Sequence, residues 1–459
     1  MARQMSLIKR RIVLHNKYRY SPVDELSSGW QNHSVKQDKI MSYAKSTQAV
    51  LLLLAGMASS VAARPAQAQS ETVLYNFTGG SDGGSSNSRL TADGKGNFYG
   101  TTFYGGLPSG GLGYGTVFEL SPKGNGGWAE TVIYSFPVGG KDGGNPSGYL
   151  IFDSVGNLYG TTLYGGKGCA SNGCGVVFEL SPTGSSWKEK VLYKFVGGAD
   201  DGAYPVEGLV MDLAGNLYGT TSSGGSAGGG TVFELSPSGS RWKERVIYTS
   251  GTDVYGIGIA AGLTMDPSGN ILGANYDSVF ELSPDGNGGW NPTILHTFTG
   301  PVSEDSAYFG QVGTPVLDQA GNIYGTTIVG GSWGGVYKLS PAKNGRWKEK
   351  TIHSFSGYLA DHDGTSPGGA LVINAAGNIY GATGNGGIYN SQGTVFELVA
   401  PVGSGKYEHK ILWNFGATGD GANPNGGLIQ DSAGNLYGTT ASGGSGRAFA
   451  TGVVFEVTP

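Results

Sequence analysis

The sequence lacks several patterns that would assign it to a large class of proteins. After the short apolar segment near residue 50 it has no apolar stretch of 18 or more residues, so nothing anchors the rest of the chain in a membrane. Its 85 glycines follow no three-residue period, which excludes collagen. After residue 68 no stretch shows a 3.6-residue apolar period, so helices are not expected. The glycines instead predict many tight turns, because glycine adopts positive φ without strain.

The chain also lacks a basic excess once its first 68 residues are set aside. Residues 1–68 hold 10 of the 29 Lys and Arg and 3 of the 34 Asp and Glu. The rest therefore carries 19 basic and 31 acidic residues, a net charge of −12. Nucleic-acid binding requires a basic face, so we expect no nucleic-acid partner.

Those first residues read as a targeting segment. Residues 49–57 form a short apolar core, and Ala66-Gln67-Ala68 fits the cleavage pattern of a secretory signal. Met41 would give this signal a normal length. We therefore predict a mis-annotated upstream extension at 1–40, a signal peptide at 41–68 cleaved near Ala68, and a secreted (extracellular or periplasmic) domain at 69–459.

A Gly-Asn pair followed by a short apolar strand recurs seven times. A period of this length is typical of propellers and other repeat proteins. Each period contains four strand-like runs, such as 208–212, 217–221, 231–237 and 242–248. The sequence thus predicts an all-β, seven-bladed β-propeller with four antiparallel strands per blade. The repeated asparagines, 52 to 60 residues apart, are Asn97, Asn157, Asn216, Asn270, Asn322, Asn378 and Asn435.

The strand count predicts how the ring closes. The last repeat ends after its third strand, at 453–457, whereas a run typical of the fourth strand stands alone at 72–77. We predict that strand 72–77 completes the last blade, so that no sheet edge is left open there.

The repeat as a whole resembles a known bacterial family. The motifs are Gly-Asn-Leu-Tyr-Gly-Thr-Thr, Val-Phe-Glu-Leu-Ser-Pro and a Gly-Gly-x-Asp-Gly loop, within residues 71–459. They resemble the GloVer (choice-of-anchor) tandem-repeat proteins. The resemblance implies an extracellular β-propeller and no established activity. Unlike anchored members, this sequence has no sorting tail after its last strand, which favours a released protein.

Two cysteines, Cys169 and Cys174, enclose four residues of one loop. In an exported protein such a pair indicates a local disulfide. No further ligands stand close by in the sequence, so we predict no metal site there.

The long connections after the second and fourth strands of each repeat share one face, where binding usually occurs. Five of these loops carry an Asp-Gly pair. The carboxylates could form a ring that binds Ca²⁺ or sugar hydroxyls, or each could order its own glycine turn. These loop aspartates are Asp82, Asp142, Asp201, Asp363 and Asp420.

No catalytic constellation stands out. The nucleophile elbow, the zinc-protease helix and the phosphate-binding loop are all absent. His296 and His353 occupy strand positions that other repeats fill with Tyr or Trp, which indicates packing. We therefore assign no catalytic residue, no metal and no cofactor, apart from the Ca²⁺ considered above.

The fourth repeat departs most from the others. From Asn270 to Glu281 there are 11 residues, against 22 from Asn97 to Glu119, and the preceding loop lacks its Asp-Gly pair. A missing loop should leave a notch in the rim of the propeller, through which a ligand approaches. The predicted ligand-binding residues are Tyr255, Tyr276, Asp277, Asp305 and Tyr308.

These observations favour an exported, monomeric binding module for an extracellular glycan or protein. Two alternatives stay open. One is a hydrolase or lyase that acts on polysaccharides through carboxylates that break the repeat. The other is a structural surface protein without a small ligand.

Overall fold

A computed structural model describes residues 69–459 except 108–112, 139, 253–257, 260, 299–312, 329–332, 358–361, 390 and 446–450. Within these residues, short strands form seven four-stranded antiparallel sheets, the blades of a β-propeller. The predicted all-β, seven-bladed fold is confirmed. Two short 3-10 turns, Ala170–Asn172 and Lys343–Gly345, accompany the strands. In the part of the chain described here, no helix has the length and hydropathy that a bilayer span requires.

The strands are numbered along the chain, beginning with β1 at Ser70–Asn76. Blade one contains β2 Thr91–Ala92, β3 Phe98–Thr102, β4 Thr116–Pro122 and β5 Trp128–Ser135. Blade two contains β6 Ile151–Phe152, β7 Leu158–Thr162, β8 Val176–Thr183 and β9 Ser186–Lys194. Blade three contains β10 Gly202–Met211, β11 Leu217–Gly224, β12 Gly228–Ser238 and β13 Arg241–Gly251. Blade four contains β14 Thr264–Met265, β15 Ile271–Ala274, β16 Ser278–Pro284 and β17 Trp290–Thr297.

The last three blades follow the same order. Blade five contains β18 Val316–Leu317, β19 Ile323–Thr327, β20 Gly335–Pro341 and β21 Trp347–Ser354. Blade six contains β22 Val372–Ile373, β23 Ile379–Thr383, β24 Thr394–Val399 and β25 Glu408–Asn414. Blade seven contains β27 Ile429–Gln430, β28 Leu436–Thr439, β30 Val453–Thr458 and the N-terminal β1. A small ribbon pairs β26 Gly421–Ala422 with β29 Ser442–Gly443.

Blade seven combines both ends of the propeller sequence. β1 runs antiparallel to β30, with Ser70 opposite Thr458 and Asn76 opposite Val453. The amide of Phe77 continues the pairing by donating to the carbonyl of Gly452 at 3.0 Å. The fourth strand of this blade is therefore supplied by the N-terminal segment.

The hydrophobic core lies between blades rather than within one sheet. At the first junction, Tyr99, Val117 and Phe136 of blade one pack against Leu158 and Phe178 of blade two. Equivalent clusters fill the other junctions, including the one between blades seven and one. Because each sheet packs against a neighbour on both faces, its strands are apolar on both sides. Burying a large apolar side chain stabilises the fold by roughly 1.5–3 kcal/mol.

An aromatic side chain near the end of each outer strand contacts one on the third strand of the next blade. The ring centroids lie 4.7–5.3 Å apart. At blade three, Ser250 stands at the usual Phe position, and Tyr248 makes the contact instead. The pairs are Phe77–Phe118, Phe136–Phe178, Phe195–Phe233, Tyr248–Phe280, Phe298–Tyr337, Phe355–Phe396 and Phe415–Phe455.

The repeated Asp-x-x-Gly-Asn turn is organised by its aspartate. Asp212 Oδ1 accepts hydrogen bonds from the amides of Ala214 (2.9 Å) and Asn216 (2.8 Å). Its Oδ2 accepts from Asn216 Nδ2 (2.8 Å) and from the Tyr218 hydroxyl (3.0 Å). Gly215 supplies the left-handed residue, with φ of 82°. The carboxylate is therefore a structural part of the turn.

The two threonines of the Gly-Thr-Thr run have different roles. The first reaches the next blade, as where Thr161 donates to the carbonyl of Glu207 at 3.1 Å. The second joins strands of its own blade, as where Thr102 Oγ1 lies 2.8 Å from Thr116 Oγ1. Both threonine hydroxyls therefore form hydrogen bonds inside an otherwise apolar strand.

Candidate functional site

The propeller presents two faces with different connections. The short-turn face carries the turns after the first and third strands of each blade, such as 93–97 and 123–127. The long-loop face carries the connections after the second and fourth strands, such as 103–115 and 136–150. Because successive strands are antiparallel, these two sets lie at opposite ends of the blades.

Four of the five loop aspartates on the long-loop face are buried and bind their own loops. Asp82 accepts hydrogen bonds from the Tyr75 hydroxyl (3.1 Å) and from the amide and hydroxyl of Thr78 (2.8 and 2.6 Å). The fifth, Asp142, is about half exposed and lies 3.7 Å from Lys194 Nζ. The four buried carboxylates are thus engaged by groups of their own loops. They are Asp82, Asp201, Asp363 and Asp420.

A glutamate on the outer strand of the next blade lies near several of these aspartates. Burial, and after it the charge of Asp82, raises the pKa of Glu130 to about 7. Glu130 Oε1 has no hydrogen-bond partner among the described residues. The same environment raises the pKa to about 7 at Glu71 beside Asp420, Glu189 beside Asp142 and Glu244 beside Asp201. Since the pair recurs at four junctions, it is a feature of blade packing rather than a single acid–base site.

Blade four lacks the long connection that other blades carry. Only residues 275–277 join β15 to β16. Asn275 Oδ1 closes this turn by accepting from the amide and the hydroxyl of Ser278, both at 2.8 Å. Asp277 is half-buried, and its charge adds to the effect of burial, which is the main reason why the pKa of Tyr248 in blade three is raised. The short turn of blade four therefore places a carboxylate near the outer strand of blade three.

Two of the five predicted ligand-binding residues lie among the described residues. Tyr276 and Asp277 are half-buried in the short turn of blade four. Tyr255, Asp305 and Tyr308 lie outside the described residues. The notch therefore stays a prediction for these three residues.

In the structure the sulfurs of Cys169 and Cys174 are bonded at 1.92 Å. The bridge ties the long connection between β7 and β8 to itself. Cys174 is fully buried and packs in the core between blades two and three.

A cavity of about 410 Å³ lies at the centre of the propeller. Its walls come from blades one to five, which only the central axis brings together. Most of the lining is apolar and belongs to the first strands, including Ile151, Val210 and Met265. Arg89, Tyr149 and Thr314 add polar groups.

Arg89 and Tyr149 are exceptional in this ring. The guanidinium carbon of Arg89 lies 4.2 Å from the centroid of the Tyr149 ring, a cation–π contact. Burial raises the pKa of Glu207 to about 7, although the positive charge of Arg89 acts against the rise. Glu207 also has a left-handed backbone, with φ of 57°. Positions equivalent to Arg89 and Tyr149 carry small residues in the other blades, namely Gly208, Gly262, Thr314, Ala370 and Gly427.

Sequence reasoning missed this group of three residues. The available signal was that Arg89 and Tyr149 stand where the other five blades carry a small residue, and it did not include Glu207. It was weak, because Arg89, Tyr149 and Glu207 are about 60 residues apart and only the ring brings them together.

Further cavities lie between neighbouring turns on the short-turn face. One of about 550 Å³ is lined by Tyr99, Phe152 and Trp187 together with Asp93 and Asp153. Another, of about 400 Å³, lies between blades five and six. The two carboxylates in the first of these clefts, Asp93 and Asp153, accept hydrogen bonds from their own Asp-x-x-Gly-Asn turns. These oxygen atoms are therefore already engaged in the turns.

One cluster of potential metal ligands lies between blades five and six. Among the described residues, His353, Asp363 and His409 bring their donor atoms within 4.8 Å of one another. His353 Nε2 is 3.1 Å from Asp363 Oδ2, and the two imidazole rings stack at 4.3 Å. Two imidazoles do not match the all-oxygen ligand set that Ca²⁺ prefers.

Two stretches of the chain match the family model described as the Gloeobacter/Verrucomicrobia repeat, at residues 59–278 and 273–459. Together they span the whole propeller. No curated protein matches the chain.

Several solved structures are similar to the chain at low identity. A catalytically inactive variant of virginiamycin B lyase from Staphylococcus aureus, with quinupristin, is 11% identical, with 85% of this chain and 99% of that chain covered and a TM-score of 0.49. A gluconolactonase from Xanthomonas campestris is 11% identical, with 87% and 92% covered and a TM-score of 0.40. A protein from Lactobacillus plantarum is 12% identical, with 75% and 95% covered and a TM-score of 0.47. Likeness at this level transfers no activity.

Proposed function

The chain belongs to the Gloeobacter/Verrucomicrobia repeat family, and we propose that it is an exported module that binds an extracellular glycan or protein. The observation that carries the proposal is the central cavity with Arg89 in its wall. Ligand sites are usually concave, of roughly 300–1,000 Å³, and mostly apolar with a few placed polar groups. The central cavity, at about 410 Å³, has this size and composition.

Arg89 gives the cavity its chemical preference. A guanidinium presents five N–H donors in a planar fork that matches a carboxylate or a pair of hydroxyls. The Tyr149 ring supports one face of this fork. The remaining lining is apolar and suits a sugar face or an aliphatic side chain. We propose that Arg89 binds a carboxylate or hydroxyl group of the ligand while the first strands contact its apolar part.

Export is part of the same proposal. It rests on the signal-like segment 41–68, which lies outside the described residues together with the extension 1–40. The open turn of blade four, with Tyr276 and Asp277, is the second surface at which a ligand could approach.

Binding can be tested by screening the purified protein on a glycan array and on bacterial cell-wall fractions. Each hit is then measured with Arg89→Ala and with the control Arg241→Ala, an exposed arginine at the start of β13. We expect Arg89→Ala to weaken binding at least about tenfold, since hydrogen bonds to a charged group contribute roughly 1.5–3 kcal/mol. Arg241→Ala should bind as the unchanged protein does.

Two outcomes contradict the proposal. If the array and the fractions retain no protein, the binding function is wrong. If a hit is bound equally well by Arg89→Ala, the ligand does not use the central cavity. The variant Tyr276→Ala then decides whether the turn of blade four is the site, because only that variant should lose binding.

A further inference from the structure

The junction between blades five and six differs from the three junctions that precede blades one, two and three. At those junctions a tyrosine on an outer strand, a loop aspartate and a glutamate of the next blade come together, as Tyr193, Asp201 and Glu244 do. At the later junction the tyrosine position is His353 and the glutamate position is His409. Two stacked imidazoles therefore lie beside one buried carboxylate at this junction.

The local structure holds the central carboxylate in place. Asp363 is 4% exposed, and its Oδ1 accepts hydrogen bonds from the amide and the hydroxyl of Ser356, both at 2.8 Å. Its Oδ2 faces His353 Nε2 at 3.1 Å. The Phe355 ring meets His353 edge-on at 4.7 Å, and its centroid is 6.0 Å from His409. One oxygen thus anchors the carboxylate while the other is directed at the imidazoles.

We propose that His353, Asp363 and His409 bind one first-row transition-metal ion of the Zn²⁺ type across the junction of blades five and six. Imidazole nitrogen and carboxylate oxygen are established ligands of Zn²⁺, at roughly 2.0–2.2 Å. A tetrahedral ion with such bonds needs donor atoms roughly 3.3 Å apart, and the donor atoms here lie within 4.8 Å of one another. Binding would therefore require the two imidazole rings, which now stack in parallel, to turn so that one nitrogen of each points at the same ion.

The ion would have a structural consequence and a chemical one. Since His353 is on β21 and His409 on β25, the ion would add a direct link between strands of two neighbouring blades. Three protein ligands leave a coordination position for water or a ligand oxygen. His296 offers an internal comparison, because its Nε2 faces Glu349 at 3.0 Å and belongs to no cluster of three such donors among the described residues.

The test is metal binding by the purified protein after chelator treatment, with Zn²⁺ measured by calorimetry and Co²⁺ by its visible absorption. The informative variants are His353→Tyr, which restores the residue that blades one to three carry there, and His409→Gln, which removes a ligand nitrogen without adding a carboxylate. His296→Tyr is the matched control. We expect one bound ion per chain, affinity at least about tenfold weaker in each informative variant, and unchanged affinity in the control.

The alternative is that His353 merely replaces tyrosine as the hydrogen-bond donor to Asp363. In that case the protein would bind no Zn²⁺ at about 1 mM, or His353→Tyr and His409→Gln would bind it as the unchanged protein does, and the proposal would be overturned. Circular dichroism separates a lost site from a lost fold. If one informative variant does not fold, the other alone decides the result.

Discussion

A glycine precedes the two threonines in each second strand, and close packing requires it there. A Cβ built on Gly160 would lie 2.6 Å from Phe178 Cζ and 2.8 Å from Leu150 Cδ2. The Phe178 ring is fully buried between blades one and two. The glycine therefore makes room for the aromatic side chain of the adjacent strand, and positive φ is not the reason for it.

Gly160→Ala should destabilise the propeller by about 1–3 kcal/mol, because the added methyl group cannot fit without moving a packed aromatic ring. Gly124→Ala is the control, since Gly124 has no atom within 4 Å of an added Cβ and does not have positive φ. Its effect should stay within about 0.5 kcal/mol. Thermal and urea denaturation measure both variants, and equal stabilities would refute this account of the glycine.

At the scale of strands, a glutamate on the outer strand of one blade lies near a loop aspartate that follows the preceding blade. Glu71, Glu130, Glu189 and Glu244 each have a pKa raised from 4.5 to about 7, with burial as the main cause. The folded state therefore binds more protons than the unfolded state between about pH 4.5 and 7. Because of this difference, the contribution of these groups to stability is largest below pH 4.5 and is lost as the pH rises to about 7.

The expected result is a free energy of unfolding that decreases between pH 5 and pH 7, where many proteins are most stable. Glu244→Gln should reduce this slope, because the amide is neutral at every pH and gains no charge beside Asp201 as the pH rises. The exposed Glu408→Gln should leave the slope unchanged. Urea denaturation at several pH values measures it, and an identical slope in Glu244→Gln and the unchanged protein would contradict the prediction.

At the scale of the whole molecule, β1 joins the two ends of the ring. It supplies the fourth strand of blade seven, and Leu74 and Phe77 pack with Leu90 and Phe118 of blade one. Among the described residues, each of the seven junctions then contains an apolar cluster shared by two blades. A propeller with this arrangement should unfold as one unit, since opening one junction exposes two apolar faces.

Deleting residues 70–77 should abolish cooperative unfolding or lower the melting temperature strongly, because it removes a strand and two buried side chains. A circular permutant is the informative partner. Joining Pro459 to Gln69 by a short turn and opening the chain between Gly239 and Ser240, in an exposed turn, keeps every strand pair. It should unfold cooperatively near the original temperature. A deletion variant as stable as the permutant would show that β1 does not hold the ring together.

The sequence alone was sufficient for the architecture. Alternating apolar residues and Gly-Asn turns are local features, and the same pattern of strands and turns recurs in seven copies. The Asp-x-x-Gly-Asn turn could be explained from its residue types, because its hydrogen bonds link neighbours in the chain. The pairing of the N-terminal strand followed from counting strands.

The tertiary structure decided which exceptional residues meet. Arg89 and Tyr149 come from two blades, and only the ring places them at one cavity, with Glu207 of a third blade near Arg89. The sequence indicated strand packing for His353, because other repeats carry Tyr or Trp at its position, and it did not single out His409. Only the structure, in which blades five and six are adjacent, shows that both histidines lie near Asp363. Repetition specifies a blade through contacts close in sequence, whereas a site at the axis or at a junction depends on contacts between blades that no single repeat encodes.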